Sequence, residues 1–210
     1  MKICRKALRM DKALTAFVSG IDSDVRRFRR GVIRVFSRKL TQPRHCAGYF
    51  FELLVATTGL YGHSLKLREL EHSIPLKRAP KSIDGIHRNS DAAREMSMRR
   101  RFRERIESLP WSTFDPSCNV FSEENLLRTQ ADYINSLSLH LPDIYGEAYE
   151  TDRCLRQILS DGGFTGATLA QLLVSLQHAA HHASYGRHTL EILSDETNWR
   201  RPGTPKPNLD

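Results

Sequence analysis

One stretch constrains the fold more than any other because it is the longest run of good helix formers in the chain. It comprises residues 165–194, TGATLAQLLVSLQHAAHHASYGRHTLEILS. At 100° per residue, its main apolar positions fall within roughly 80° of one another on a helix. These positions are Leu169, Leu172, Leu176, Ala179, Ala183 and Leu190. The pattern predicts a long amphipathic helix whose apolar stripe faces a hydrophobic core.

The same stretch is rich in histidine, with four of the nine histidines of the chain between residues 178 and 188. His178 and His182 are four residues apart, so they lie on one side of the helix. This is the spacing with which a helix presents two imidazole nitrogens to one divalent metal. The alternative is a histidine pair on a helix surface or interface without a metal, and the sequence leaves both readings open.

The remaining sequence shows no alternating pattern typical of strands, and it predicts six further helices. Their ranges are 3–19, 23–40, 45–72, 82–109, 122–140 and 142–160, with Gly20, Pro43 and Pro142 at the breaks between neighbours. The predicted fold class is all-α, a four-helix bundle with two additional N-terminal helices and a disordered C-terminal tail. The predicted divisions are a basic N-terminal helical extension (1–44), a bundle domain (45–194) and the tail (195–210).

The charge is distributed unevenly along the chain, whose formal net charge is +8. Residues 1–110 carry 25 Lys and Arg against 11 Asp and Glu, whereas residues 111–210 carry 7 against 13. The two parts could neutralise each other on packing, or the basic part could bind nucleic acid or another polyanion. No aromatic residue interleaves with the cations of 23–40 to stack on bases, since Phe28 and Phe36 belong to its apolar set. The candidate contacts for nucleic acid are Arg26, Arg27, Arg29, Arg30, Arg99, Arg100 and Arg101.

The cysteine spacing and the hydropathy predict a cytoplasmic location. The four cysteines are scattered without paired spacing, which is typical of reduced thiols in a cytoplasmic protein. The N-terminus is charged and does not read as a signal peptide. The most apolar run, residues 46–61, is too short and too interrupted to span a bilayer, so no membrane span is expected. The choice between a monomer and a homodimer stays open.

From about 45 to 194, the order of features resembles the DinB-like, or YfiT-like, metal-binding four-helix bundles. Ser82 and Ile83 open a helix that carries His87, and a connector with Trp and Pro follows at 110–116. The run TLAQLL at 168–173 then leads to His178, His182 and Tyr185. The resemblance implies a metal site of three imidazoles that holds zinc, nickel or iron. Its three ligands would be His87, His178 and His182.

The resemblance also implies an activity, that of a metal-dependent transferase or hydrolase acting on a small-molecule substrate. The metal would activate a low-molecular-weight thiol or a water. Tyr185 is then the candidate acid or orienting hydroxyl, and Arg187 is the candidate anchor for an anionic substrate. The sequence offers no general base near the pair, because Glu191 lies on a different side of the helix, and this argues against a hydrolase. The alternative function is a non-catalytic basic helical protein that binds nucleic acid or another polyanion.

Overall fold

The computed structural model describes residues 12–37, 40, 42–78, 92–116 and 128–199. Within these residues the protein is all-α, as the sequence predicts. The helices are α1 (Lys12–Ser37), α2 (Pro43–Leu70), α3 (Ala92–Glu107), α4 (Gln130–Asp161) and α5 (Gly166–Ser194). Short 3-10 turns lie at Glu71–Ser73, Trp111–Thr113 and Glu196–Asn198. Two strands of two residues each, β1 (Leu76–Lys77) and β2 (Phe164–Thr165), pair in parallel.

All five described helices contribute side chains to one hydrophobic core. α2 packs on α1 and α5, and α4 packs on α5 and α1, whereas α3 packs mainly on α4. The predicted stripe of α5 faces this core, and all six of its residues are buried. α1 contributes Val18, Ile21, Val25, Phe28, Val32 and Val35 to the same core. The N-terminal helix therefore forms part of the bundle packing, while the predicted domain boundary at residue 44 stays a prediction.

The helix break predicted at Gly20 is wrong, because α1 continues through that residue. A Cβ built on Gly20 would lie 3.0 Å from Cε1 of His63 on α2. The glycine therefore permits the two helices to approach each other closely, and this packing role overrides its tendency to end a helix.

The break predicted at Pro142 is also wrong, because this residue lies inside α4. Proline removes one backbone donor and strains the preceding turn. Leu141, Pro142 and Ile144 are all buried. We infer that burial on both sides of the proline offsets its local cost and keeps α4 continuous.

Residues 195–199, the first part of the predicted tail, are structured. Trp199 is 4% exposed, and its indole N–H donates to the carbonyl of Leu193 at 2.8 Å. Its ring stacks on Phe50 of α2, with ring centroids 6.3 Å apart. The turn after α5 therefore packs against the core and stabilises the C-terminal end of that helix. Residues 200–210 lie outside the described residues.

None of the described helices combines the length and the apolar character needed to cross a membrane.

Candidate functional site

The predicted histidine pair of α5 lies opposite a row of polar side chains on α4. His140, Asp143 and Glu147 are spaced i, i+3 and i+7, so they share one side of α4. α4 and α5 are neighbours joined by a short turn with Gly162 and Gly163. The two helices therefore bring three imidazoles and two carboxylates into one groove.

The three imidazoles form a continuous chain of ring nitrogens. Nδ1 of His140 lies 3.1 Å from Nδ1 of His182. On the other side of that ring, Nε2 of His182 lies 3.0 Å from Nε2 of His178. The ring planes of His178 and His182 meet at 78°, with centroids 4.7 Å apart. The imidazoles thus lie in the order His140, His182, His178, with His182 between the other two.

A carboxylate lies at the His178 end of this row of three imidazoles. Oε1 of Glu147 lies 2.7 Å from Nδ1 of His178, and the Glu147 side chain is only 11% exposed. A buried carboxylate needs a donor, so the Nδ1–H of His178 donates to it. This bond orients the His178 ring and leaves its Nε2 facing His182.

A second carboxylate lies beside the pair and is held by α3. Oδ2 of Asp143 lies 3.3 Å from Nε2 of His182. The other oxygen, Oδ1, accepts from the Arg99 guanidinium at 2.6 Å. Arg99 also donates to Glu95 and to the carbonyl of Leu139. α3 therefore fixes the position of Asp143 through a single arginine.

Burial favours neutral imidazoles at two positions. It lowers the pKa of His140, and the neighbouring His182 acts in the same direction. Burial also lowers the pKa of His182, which Asp143 opposes and His178 supports. At neutral pH these rings are uncharged, which is the form that binds a metal or accepts a hydrogen bond.

The other predicted site residues lie at different places. Tyr185 is exposed, and its ring stacks on His140 with an interplanar angle of 11° and centroids 6.0 Å apart. Arg187 donates to Glu191 at 2.6 Å and lines a small cleft between α2 and α5. Its predicted role as an anion anchor stays a prediction. His87 lies outside the described residues.

Three residues of the groove were missed by sequence reasoning: His140, Asp143 and Glu147. The sequence offered no general base on the helix of the histidine pair, and the structure shows that α4 supplies two carboxylates beside it. The signal was present in the spacing H-x-x-D-x-x-x-E, which places the three side chains on one helical side. Only the packing of α4 on α5 shows that this side faces His178 and His182.

Several of the cations predicted to bind nucleic acid form ion pairs within the fold. Arg26 pairs with Asp22 at 3.0 Å on its own helix. Arg29 reaches across to Asp152 of α4 at 3.3 Å, and Arg99 holds Asp143 in the groove. Part of the basic charge is therefore neutralised by acidic side chains, as one of the two readings of the charge distribution expects.

Among the residues that the structure describes, no three His, Cys, Asp or Glu side chains are arranged to hold a metal ion. His178 and His182 nevertheless have the chemistry of metal ligands, since their Nε2 atoms face each other and each ring has a hydrogen-bond partner at Nδ1. The structure thus brings His178 and His182 together, and the three-histidine metal site stays a prediction.

Comparison with family models, curated proteins and solved structures found no match to this chain. The resemblance to the DinB-like bundles therefore stays a prediction.

Proposed function

We propose that the protein is a metal-dependent enzyme, a transferase or hydrolase, that activates a water or a low-molecular-weight thiol. His178 and His182 would hold a divalent zinc, nickel or iron, and His87 would complete the three-histidine set. The observation that carries the proposal is the 3.0 Å separation of the two Nε2 atoms.

This separation matters because of where the ring protons lie. Two proton arrangements are compatible with the hydrogen bond between His140 and His182. In the first, His140 donates to His182, and His182 donates through Nε2 to His178. In the second, His182 donates from Nδ1 to His140, and the Nε2 lone pairs of His182 and His178 then face each other. Two facing lone pairs repel unless a cation lies between them, so the second arrangement is suited to a metal.

The surrounding side chains support that reading. Glu147 on Nδ1 of His178 is the type of outer partner that orients metal-ligating histidines and raises their basicity. His140 would play the same orienting role for His182. A divalent metal supplies the positive charge that lowers the pKa of a water or thiol.

Asp143 supplies the proton acceptor that the sequence did not reveal. One oxygen of Asp143 lies beside Nε2 of His182, and the other is fixed by Arg99. In this position the carboxylate can take a proton released next to the histidine pair. The carboxylate removes the objection to a hydrolase and leaves both reaction classes open.

The direct test is metal analysis of protein purified without a polyhistidine tag, followed by titration with zinc, nickel and iron. We expect one divalent ion per chain in the wild type and none in His178→Ala or His182→Ala. His181→Ala is the matched control, since it removes an imidazole that packs edge-on against His182 without being one of the proposed ligands, and it should keep the metal. His87→Ala should also lose it.

Two results would overturn the proposal in part or in full. Wild-type protein that binds no divalent metal would reject it. Metal that persists in His87→Ala, but not in the other two variants, would reject His87 as the third ligand. Nucleic-acid binding and a cytoplasmic location stay predictions, and a homodimer stays an open alternative.

A further inference from the structure

A second candidate site lies between α1 and α2, on other helices than the histidine groove. It is a cleft of about 340 Å³. Its lining combines cations of α1 with apolar and acidic side chains of α2: Arg27, Arg30, Arg34, Phe51, Glu52 and Val55. The three arginines are spaced i, i+3 and i+7, so they point from one side of α1. The cleft therefore has a basic wall and a mainly apolar wall.

The cleft keeps a net positive charge. Arg34 is neutralised by Glu52, because its guanidinium lies 3.1 Å from both carboxylate oxygens. Arg30 donates only to the carbonyl of Arg26 among the described residues, and Arg27 makes no ion pair with them. Two guanidinium groups are thus available to an anion from outside.

The apolar wall presents an aromatic ring to solvent. Phe51 is 57% exposed, although its neighbours Phe50 and Leu53 on α2 are fully buried. An exposed phenylalanine that lines the same cleft as the two arginines provides a flat surface on which a planar ring can stack. The sequence alone predicted no such aromatic for the basic helix, because the ring comes from α2.

We propose that this cleft binds a nucleotide, with its phosphates on Arg27 and Arg30 and its base against Phe51. Guanidinium groups bind phosphate oxygens with paired, charge-assisted hydrogen bonds. An aromatic face contributes stacking that tolerates any base. The volume lies at the lower end of the range for small-ligand pockets, which favours a single nucleotide over an extended nucleic-acid strand.

The test is calorimetric titration of the full chain with ATP, AMP and inorganic pyrophosphate. A chelator is present throughout, so that the result is independent of the histidine groove. We expect ATP to bind, and Arg27→Gln/Arg30→Gln to weaken it by about tenfold or more. The matched control is Arg101→Gln/Arg105→Gln, which removes two exposed charges of α3 and should leave the affinity within about twofold.

The aromatic contact is tested separately. Phe51→Ala should weaken ATP by about fivefold or more while leaving pyrophosphate unchanged. The control is Leu65→Ala, which shortens another exposed apolar side chain of α2 and should change neither. ATP binding that is equal in all variants would overturn the proposal. So would a single-stranded oligonucleotide that binds where ATP and AMP do not at about 1 mM.

Discussion

Oε1 of Glu147 lies 2.7 Å from Nδ1 of His178, so a carboxylate of α4 fixes one ring nitrogen of an imidazole on α5. The opposite nitrogen of that ring is left facing His182 at 3.0 Å. A histidine held in this way has a fixed ring orientation and tautomer, as the outer partner of a metal ligand provides. The relationship leads to the first prediction.

Glu147→Gln should weaken metal binding without abolishing it. The amide oxygen can still accept from Nδ1–H of His178, but the negative charge beside the ligand is lost. Changes to such outer partners typically cost about 10–100-fold in metal affinity, and competition with a chromogenic chelator measures this. Glu191→Gln removes a carboxylate paired with Arg187 instead and serves as the control. Unchanged affinity in Glu147→Gln would show that this carboxylate does not tune the ligand.

The free energy of unfolding should fall as the pH of the metal-free protein drops. Burial lowers the folded-state pKa of His140 and His182 below the ordinary value of 6.5. Between that value and the lower folded pKa values, the unfolded chain binds more protons than the folded one, so stability rises with pH. Above about pH 6.5 these two histidines are neutral in both states and do not reduce the free energy of unfolding. Below that pH the free energy of unfolding decreases. Calorimetry in a chelator, from about pH 7.5 to 5.0, measures the slope.

The control for this pH dependence is a pair of variants that cannot titrate there. His140→Asn and His182→Asn should each flatten the dependence, and the double variant should flatten it most. A slope that is the same in the double variant and the wild type would assign the acid sensitivity to other groups.

Gly59→Ala should destabilise the packing of α1 on α2. A Cβ at this position would overlap the carboxylate of Asp24, which bonds His63 at 2.9 Å. Forcing these atoms apart should lower the free energy of unfolding by about 1–3 kcal/mol, as overpacking does. Chemical denaturation measures this change.

Gly62→Ala, three residues along the same helix, is the matched control. Nothing lies within 4 Å of a Cβ built there. This variant should gain about 0.5–1 kcal/mol from the better helix propensity of alanine. Equal effects of the two substitutions would contradict the close approach at Gly59.

Trp199→Ala should be strongly destabilising, although this residue falls in the segment that the sequence assigned to a tail. The substitution removes a buried ring that stacks on Phe50 and also deletes the hydrogen bond to Leu193. The expected loss is about 3–5 kcal/mol in the free energy of unfolding. Leu65→Ala, at an exposed apolar position, should cost far less. A small loss for Trp199→Ala would mean that the turn after α5 does not contribute to the core.

Local sequence patterns predicted the features that depend on helical periodicity alone. The stripe from Leu169 to Leu190 is buried, and His178 and His182 share a side of α5, because residues three and four apart lie together on a helix. The all-α class follows from the same periodicity. Gly20 and Pro142 show where local rules fail, since close packing and burial kept α1 and α4 continuous through residues that often end helices.

The sequence by itself determined which side chains lie together on each helix. Only the tertiary structure decided which of those helical sides meet, and it joined the Asp143 side of α4 to the histidine pair of α5 and placed Phe51 beside the arginines of α1. The physical reason is that periodicity is set within a few residues of the chain, whereas the pairing of helices depends on the burial of apolar surface from distant segments around one core.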